Sequence, residues 1–246
     1  MSEPYRPGYA GGMAKGGSPR GRSRRPAPTG RAARPKRDAA PPPQEPPAIS
    51  GPFVLGAIPG ATPGGWIDAW QERMPHSELE LRPISVADQR IALLERGLDA
   101  ALVRLPIDAS GLHIIPLYDE IAVVVSSADS HLTAADELTL ADLAGEIVIV
   151  PQDDVLGIDV PGTVAPAFAP PADTEQAIAT VAAGVGIVLV PMSLARLHRR
   201  KDVAYRQLRD APISTVALAW PADRTTPAVE AFVGIVRGRT PNSSRG

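Results

Sequence analysis

The sequence predicts an α/β domain of two lobes behind a disordered basic tail. Three observations carry this reading. Composition changes sharply at residue 50, from a segment rich in Pro, Gly and Arg to one rich in Val, Leu, Ile and Ala. Beyond that point short apolar runs alternate with stretches of helical periodicity, a β-α-β-α-β series that implies a parallel sheet covered on both faces. A late strand and helix then follow a second set of elements. Two lobes, with the chain crossing out near residues 121–127 and back near 214–220, accommodate both sets. The expected boundaries are a tail over 1–50, a first lobe over 51–125 and 214–239, a second lobe over 126–213, and a flexible end over 240–246.

Taken in order, Phe53–Ile58 is an apolar run suited to a buried strand. Thr62-Pro63 suits an N-cap followed by proline at the first helical position. Trp66, Ile67, Trp70 and Met74 recur at helical spacing, as core or dimer contacts. Leu79–Leu81 reads as a second strand. Ser85 is placed to cap a helix whose buried face carries Ile91 and Leu94, and Ala100–Val103 is a third strand, with Asp99 at its start in a structural role. Ile121–Ser126 is a further strand, Thr139–Ala144 a short helix, and Ile147–Val150 a strand ending at Pro151. Pro171–Ala183 reads as a helix, Ile187–Val190 as a strand and Ser193–His198 as one or two helical turns. Val216–Trp220 and Pro227–Arg237 supply the last strand and helix.

Composition excludes several function classes. There is no cysteine, so disulfides, cysteine nucleophiles and thiolate metal sites are ruled out. His76, His113, His131 and His198 are scattered, with no two at metal-ligand spacing. No G-x-S-x-G elbow or Walker loop occurs. Gly184 and Gly186 lack a full phosphate-binding fingerprint and read as positions of close helix–strand packing, which argues against a nucleotide site. No apolar run approaches the ~20 residues of a membrane span. No apolar stretch follows the N-terminal basic residues, so the expectation is a cytoplasmic protein without a membrane partner.

The net charge of −2 conceals an asymmetry. Residues 1–50 hold ten Lys/Arg against three Asp/Glu, and the rest fifteen against twenty-four. With seven Gly and eleven Pro, the first fifty residues cannot bury enough surface to offset their ordering entropy. Arg20, Arg22, Arg24, Arg25, Arg31, Arg34, Lys36 and Arg37 offer a non-specific nucleic-acid arm. The alternative is a solvated linker, since arginine outnumbers lysine 22 to 3 throughout the chain.

Four segments together resemble the effector-binding domain of LysR-type transcriptional regulators. They are Val54-Leu55-Gly56-Ala57 with Thr62-Pro63; Asp88-Gln89 with Leu93–Arg104; Leu112, Pro116-Leu117-Tyr118, Val123–Val125 and Leu138–Leu143; and Val181-Ala182-Ala183-Gly184-Val185-Gly186-Ile187 with Pro191. The resemblance covers nearly the whole body. It implies two Rossmann-like lobes in the type 2 periplasmic-binding-protein arrangement, with a small molecule held between them. It departs from the family in two ways. The expectation is that no winged helix-turn-helix precedes the body and that the second lobe is shortened: Gln152–Pro170 carries Pro161, Pro166 and Pro170 where the family usually places a helix and a strand.

Candidate ligand-binding residues follow from strand ends and from the resemblance. Gly60, Ala61 and Thr62 open a helix whose free N–H groups suit a carboxylate, or serve only as its cap. Ser85 and Val86 open the next helix, with the same two readings, and both caps are expected to point into one cleft. Arg104 pairs with an anionic ligand or with the acidic body. Asp173 and Thr174 supply groups from the opposite wall or cap their helix, and Gln152 lies in the altered loop. The expected function is a non-enzymatic sensing module without cofactor or metal. It would bind a small-molecule effector such as an organic acid and modulate transcription as a homodimer or as a heterodimer with a full-length LysR-type regulator. Two alternatives are a non-specific DNA-associated regulator using the tail, and a solute-binding protein or enzyme on the same fold.

Overall fold

A computed structural model describes residues 51–95 and 97–238. The expectations for the tail, its basic residues and the C-terminal end lie outside the described residues.

Among the described residues nine strands form two sheets. The first takes β1 (Phe53–Ala57), β2 (Leu79–Pro83), β3 (Ala100–Arg104), β4 (Leu112–Glu120) and β9 (Ser214–Pro221), in the order β2-β1-β3-β9-β4. The second takes β5 (Ala122–Ser127), β6 (Glu137–Leu138), β7 (Val188–Pro191) and β8 (Val203–Leu208), in the order β6-β8-β5-β7. β1 pairs in parallel with β2 and β3, as the alternation implies, whereas β9 runs antiparallel to β3 and β4. The chain leaves the first sheet at Glu120 and enters the second at Ala122, with Ile121 between. It returns through residues 209–213. β5 therefore pairs wholly in the second sheet, so the crossing lies a few residues before the expected lobe boundary at 125.

Five helices cover the sheets: α1 (Gly64–Arg73), α2 (Gln89–Glu95), α3 (Thr174–Ala182), α4 (Met192–Leu197) and α5 (Pro227–Val236). β1 and β3 are buried along their whole length, as continuous apolar runs between two helical layers must be. On one face of the first sheet Phe53 stacks on Trp70 of α1 at 4.8 Å and on Phe232 of α5 at 5.0 Å. The indole of Trp70 donates to the Ser77 carbonyl at 2.9 Å, so this buried ring keeps its polar group satisfied. On the other face α2 packs among Ile58, Ile84, Leu98 and Val103. The second sheet likewise has a cluster on each face, one built on α3 and α4 and one on Leu132, Leu143, Val160 and Leu189.

Several expectations are corrected in detail. Thr62 does not cap α1; Pro63 occupies the cap position, with no side-chain hydrogen bond, and the helix begins one residue later. In α2 the buried stripe is Gln89, Ala92 and Leu93, and Ile91 faces solvent, because the helix starts after a turn at 86–88 that rotates the expected face outward. The strand expected at Ile147–Val150 is reduced to bridges, Ile147 to Val164 and Val148 to Ile187. Of the two glycines in the 184–186 turn only Gly186 is needed for close packing. Its φ is +67°, and a Cβ there would collide with the Ile147 carbonyl. β4 and β8 had no strand signal: β4 is interrupted by Pro116 and a bulge before Tyr118, and β8 is half-buried, with the polar Arg206 and Gln207 side by side. As expected, no helix forms between Pro151 and Asp173. Asp154 holds the turn there by accepting from the Leu156 and Gly157 amides at 3.1 and 3.0 Å.

The Phe53–Trp70–Phe232 cluster joins both termini of the domain. Phe232→Ala should lower unfolding free energy by about 3–5 kcal/mol, measured by urea denaturation of the whole chain. A loss below about 1 kcal/mol would show that α5 does not close the core.

Candidate functional site

Two cavities open where the sheets approach each other. The smaller, about 310 Å³, is lined from the first lobe by Pro59, Ser85, Val86 and Arg104, and from the second by Gln152, Asp153, Asp154 and Leu194. The larger, about 610 Å³, is lined by Gly60, Ala61, Thr62, the crossover Tyr118–Ile121 and α4 residues Met192, Ser193, Arg196 and Leu197. The Pro59–Thr62 loop and α4 contribute to both cavities. Gly60 has φ +84°, and a Cβ on it would lie 2.9 Å from the Ser193 Cβ and still closer to the Ser193 Oγ. That approach requires glycine for both conformation and space.

Arg104 is the charged residue of the smaller cavity's first-lobe wall. It ends β3 and is buried. Its backbone is gripped by the Gln89 side chain, whose amide donates to the Arg104 carbonyl and whose carbonyl accepts from the Arg104 amide, both at 2.8 Å. Nη1 donates to Ser214 Oγ at 2.6 Å and contacts Glu120 Oε2 at 2.8 Å, in an ion pair whose geometry is not that of a hydrogen bond. Nε and Nη2 have no partner. These two donors form the edge of the guanidinium that suits a bidentate carboxylate.

The opposite wall is acidic. Asp153 accepts from Thr174 Oγ1 at 2.9 Å, and both Asp154 oxygens accept from the turn that follows. The residues chosen from the sequence are thereby divided. Ser85, Val86, Arg104 and Gln152 share the smaller cavity, while Gly60, Ala61 and Thr62 face the larger, so the two expected caps do not point into one cleft. Ser85 accepts from the Asp88 amide at 3.0 Å and stabilises the turn ahead of α2. Asp173 and Thr174 line neither cavity. Asp173 caps α3 by accepting from the Gln176 amide at 2.8 Å, and Thr174 is buried, orienting Asp153. Asp153, Asp154 and Glu120 were missed. The two aspartates lie in a segment with no periodicity to place it, and Glu120 ends a strand that had no signal.

At the mouth of the larger cavity burial pushes the Tyr118 phenol above its usual range. The Glu120 carboxylate adds to the rise and Arg104 opposes it. Among the described residues no group of three or more His, Asp or Glu is placed to hold a metal ion. No described helix is long and apolar enough to cross a membrane.

Comparison with known proteins agrees with this architecture. The family profile of the LysR substrate binding domain matches residues 48–241. The HTH-type transcriptional regulator AlsR of Bacillus subtilis is 24% identical over 176 residues, covering 68% of this chain and 58% of that protein. The HTH-type transcriptional regulator CatR of Pseudomonas putida is 32% identical over 169 residues, covering 65% and 58%. The chain thus spans about 58% of the length of these relatives. Among solved structures, the BenM effector binding domain with its effector benzoate superposes with a TM-score of 0.65 at 21% identity, covering 78% of this chain and 92% of that one. The reduced OxyR regulatory domain of Pseudomonas aeruginosa gives 0.60 at 24%, covering 77% and 96%. The chain belongs to the LysR substrate binding domain family, and its fold is the two-lobed, periplasmic-binding-protein-like one of those regulatory domains.

The Arg104–Glu120 pair is removed from water, so losing one member strands the other. Glu120→Gln should cost about 3–5 kcal/mol of stability, read from urea unfolding of variant and wild type. A cost under about 1 kcal/mol would mean that solvent reaches Arg104 and screens it.

Proposed function

We propose that this member of the LysR substrate binding domain family senses a small molecule held between its lobes, in the cavity of about 310 Å³ around Arg104. One observation carries the reading: Arg104, a buried guanidinium with two unpartnered donors, lines a cleft whose other wall belongs to a different lobe. A buried polar group is ordinarily satisfied, and a ligand carboxylate would satisfy both donors at once. Because the walls belong to separate lobes joined at Ile121 and residues 209–213, a ligand touching both favours the closed arrangement over the open one. That differential affinity is what a sensor needs.

The role is binding rather than catalysis. The relatives are named as transcriptional regulators, which supports an output at transcription in the cytoplasm, through homodimers or mixed dimers with a full-length regulator. The benzoate complex of the BenM domain supports a carboxylate as the first ligand class to try.

A thermal-shift screen of small carboxylates on the whole chain, repeated on two variants, locates the site. Gln152→Trp, at an exposed position of the smaller cavity, should abolish ligand-induced stabilisation while leaving the unliganded melting temperature nearly unchanged. Leu197→Trp, at an exposed position of the larger cavity, should leave ligand binding intact. A ligand present at about a hundred times its Kd should add roughly 2.7 kcal/mol in the wild type. The reverse pattern would move the sensing site to the larger cavity.

A further inference from the structure

The charge on the two walls of the cleft narrows the ligand class, given that the cleft is the sensing site. We propose that the ligand is an amino-carboxylate zwitterion, with its carboxylate on Arg104 and its ammonium on Asp153 and Asp154.

The first-lobe wall includes Arg104, whose buried Nε and Nη2 donors are unpartnered and whose position is set by Gln89, Ser214 and Glu120. This is a bidentate seat for a carboxylate. The second-lobe wall offers two adjacent carboxylates whose orientation is fixed. Thr174 Oγ1 anchors Asp153, and the Leu156 and Gly157 amides anchor Asp154. Among the described residues, neither aspartate forms an ion pair with a Lys, Arg or His. Each carboxylate oxygen accepts more than one hydrogen bond, so both retain capacity for the three donors of an ammonium group.

Charge balance then separates the candidate ligands. Glu120 already neutralises Arg104, so a simple carboxylate would enter a cleft with two uncompensated negative charges on its far wall, a repulsive arrangement. A simple amine would satisfy the aspartates and leave the Arg104 edge unpaired. A ligand carrying both groups satisfies both walls and adds no net charge. Because its two charges lie on different lobes, it also ties them together. A cavity of about 310 Å³ accommodates an amino acid with a side chain of modest size.

The test uses the full chain with the proteinogenic L-amino acids, each compared with its des-amino acid and its decarboxylated amine, in thermal shift followed by calorimetry. At least one amino acid should bind, with affinity falling about tenfold or more on removal of either charged group. In Asp153→Asn with Asp154→Asn, both at positions outside the core, the loss on removing the amino group should disappear while the loss on removing the carboxylate remains. If des-amino acids bind the wild type as well as the amino acids do, the zwitterion is overturned and the anion-sensing cleft stands. If only the amines bind, both the zwitterion and the role of Arg104 are overturned. If no compound of the three classes binds, the assignment of the cleft as the sensing site fails with it.

Discussion

Arg104 is charged and buried, and much of the first lobe is arranged to make that combination tolerable. An arginine cannot shed its proton to escape burial, so its charge must be met by neighbours. They come from every direction. Gln89 of α2 grips its backbone, Ser214 of β9 and Glu120 of β4 take Nη1, and Nε and Nη2 are left without a partner. Those partners sit where β3, β9 and β4 end together. Register at that end of the sheet therefore cannot slip without unpairing a buried charge. β4 runs directly from Glu120 into the crossover at Ile121, so the same ion pair fixes where the chain leaves the first lobe.

From that anchor the second lobe follows as a largely separate packing problem. Its sheet carries its own cluster on each face, and neither cluster shares residues with those of the first lobe. Two lobes with separate cores and two thin connections can change their mutual angle without disturbing either interior. A ligand-driven motion needs that property, since packed cores resist continuous deformation. The second lobe supplies its cleft wall from a stretch without a helix. The proline-bearing stretch forms turns, and the turn at Asp154 places a carboxylate beside the cavity.

What was legible in the sequence divides by physical cause. The buried strands β1, β3, β5, β7 and β9 announce themselves as apolar runs because both of their faces are covered. Edge and half-buried strands do not: β4 carries a proline and a bulge, and β8 reads Val-Ala-Tyr-Arg-Gln-Leu, with no period that excludes a loop. Asp173 was legible as a cap although its helix was expected to open at Pro171, the start of α5 at Pro227 was legible, and the start of α1 was misread at Thr62, where the proline takes the cap position itself. For the cleft, four of nine candidate residues share one cavity. Strand ends can be read from a sequence, but which side of a loop faces which cavity is decided by backbone rotation. Gly60 at positive φ turns its neighbours Ala61 and Thr62 away from Ser85 and toward α4. The opposing aspartates belong to a segment defined by turns, whose side chains have no period to read.

The contact at Gly60 gives the cleft its polarity. The first-lobe loop meets Ser193 and Leu194 of α4 at van der Waals range, and the Ser193 hydroxyl is buried there without a partner. On one side of this contact lies the Arg104 cavity and on the other the larger cavity with the crossover strand. The contact lies close to the crossover at Ile121, because that residue and α4 line the same cavity and the Met192 amide donates to the Ile121 carbonyl at 3.0 Å. A ligand in the Arg104 cavity would therefore touch both lobes close to their connection, beside the glycine contact that holds the first-lobe loop against α4.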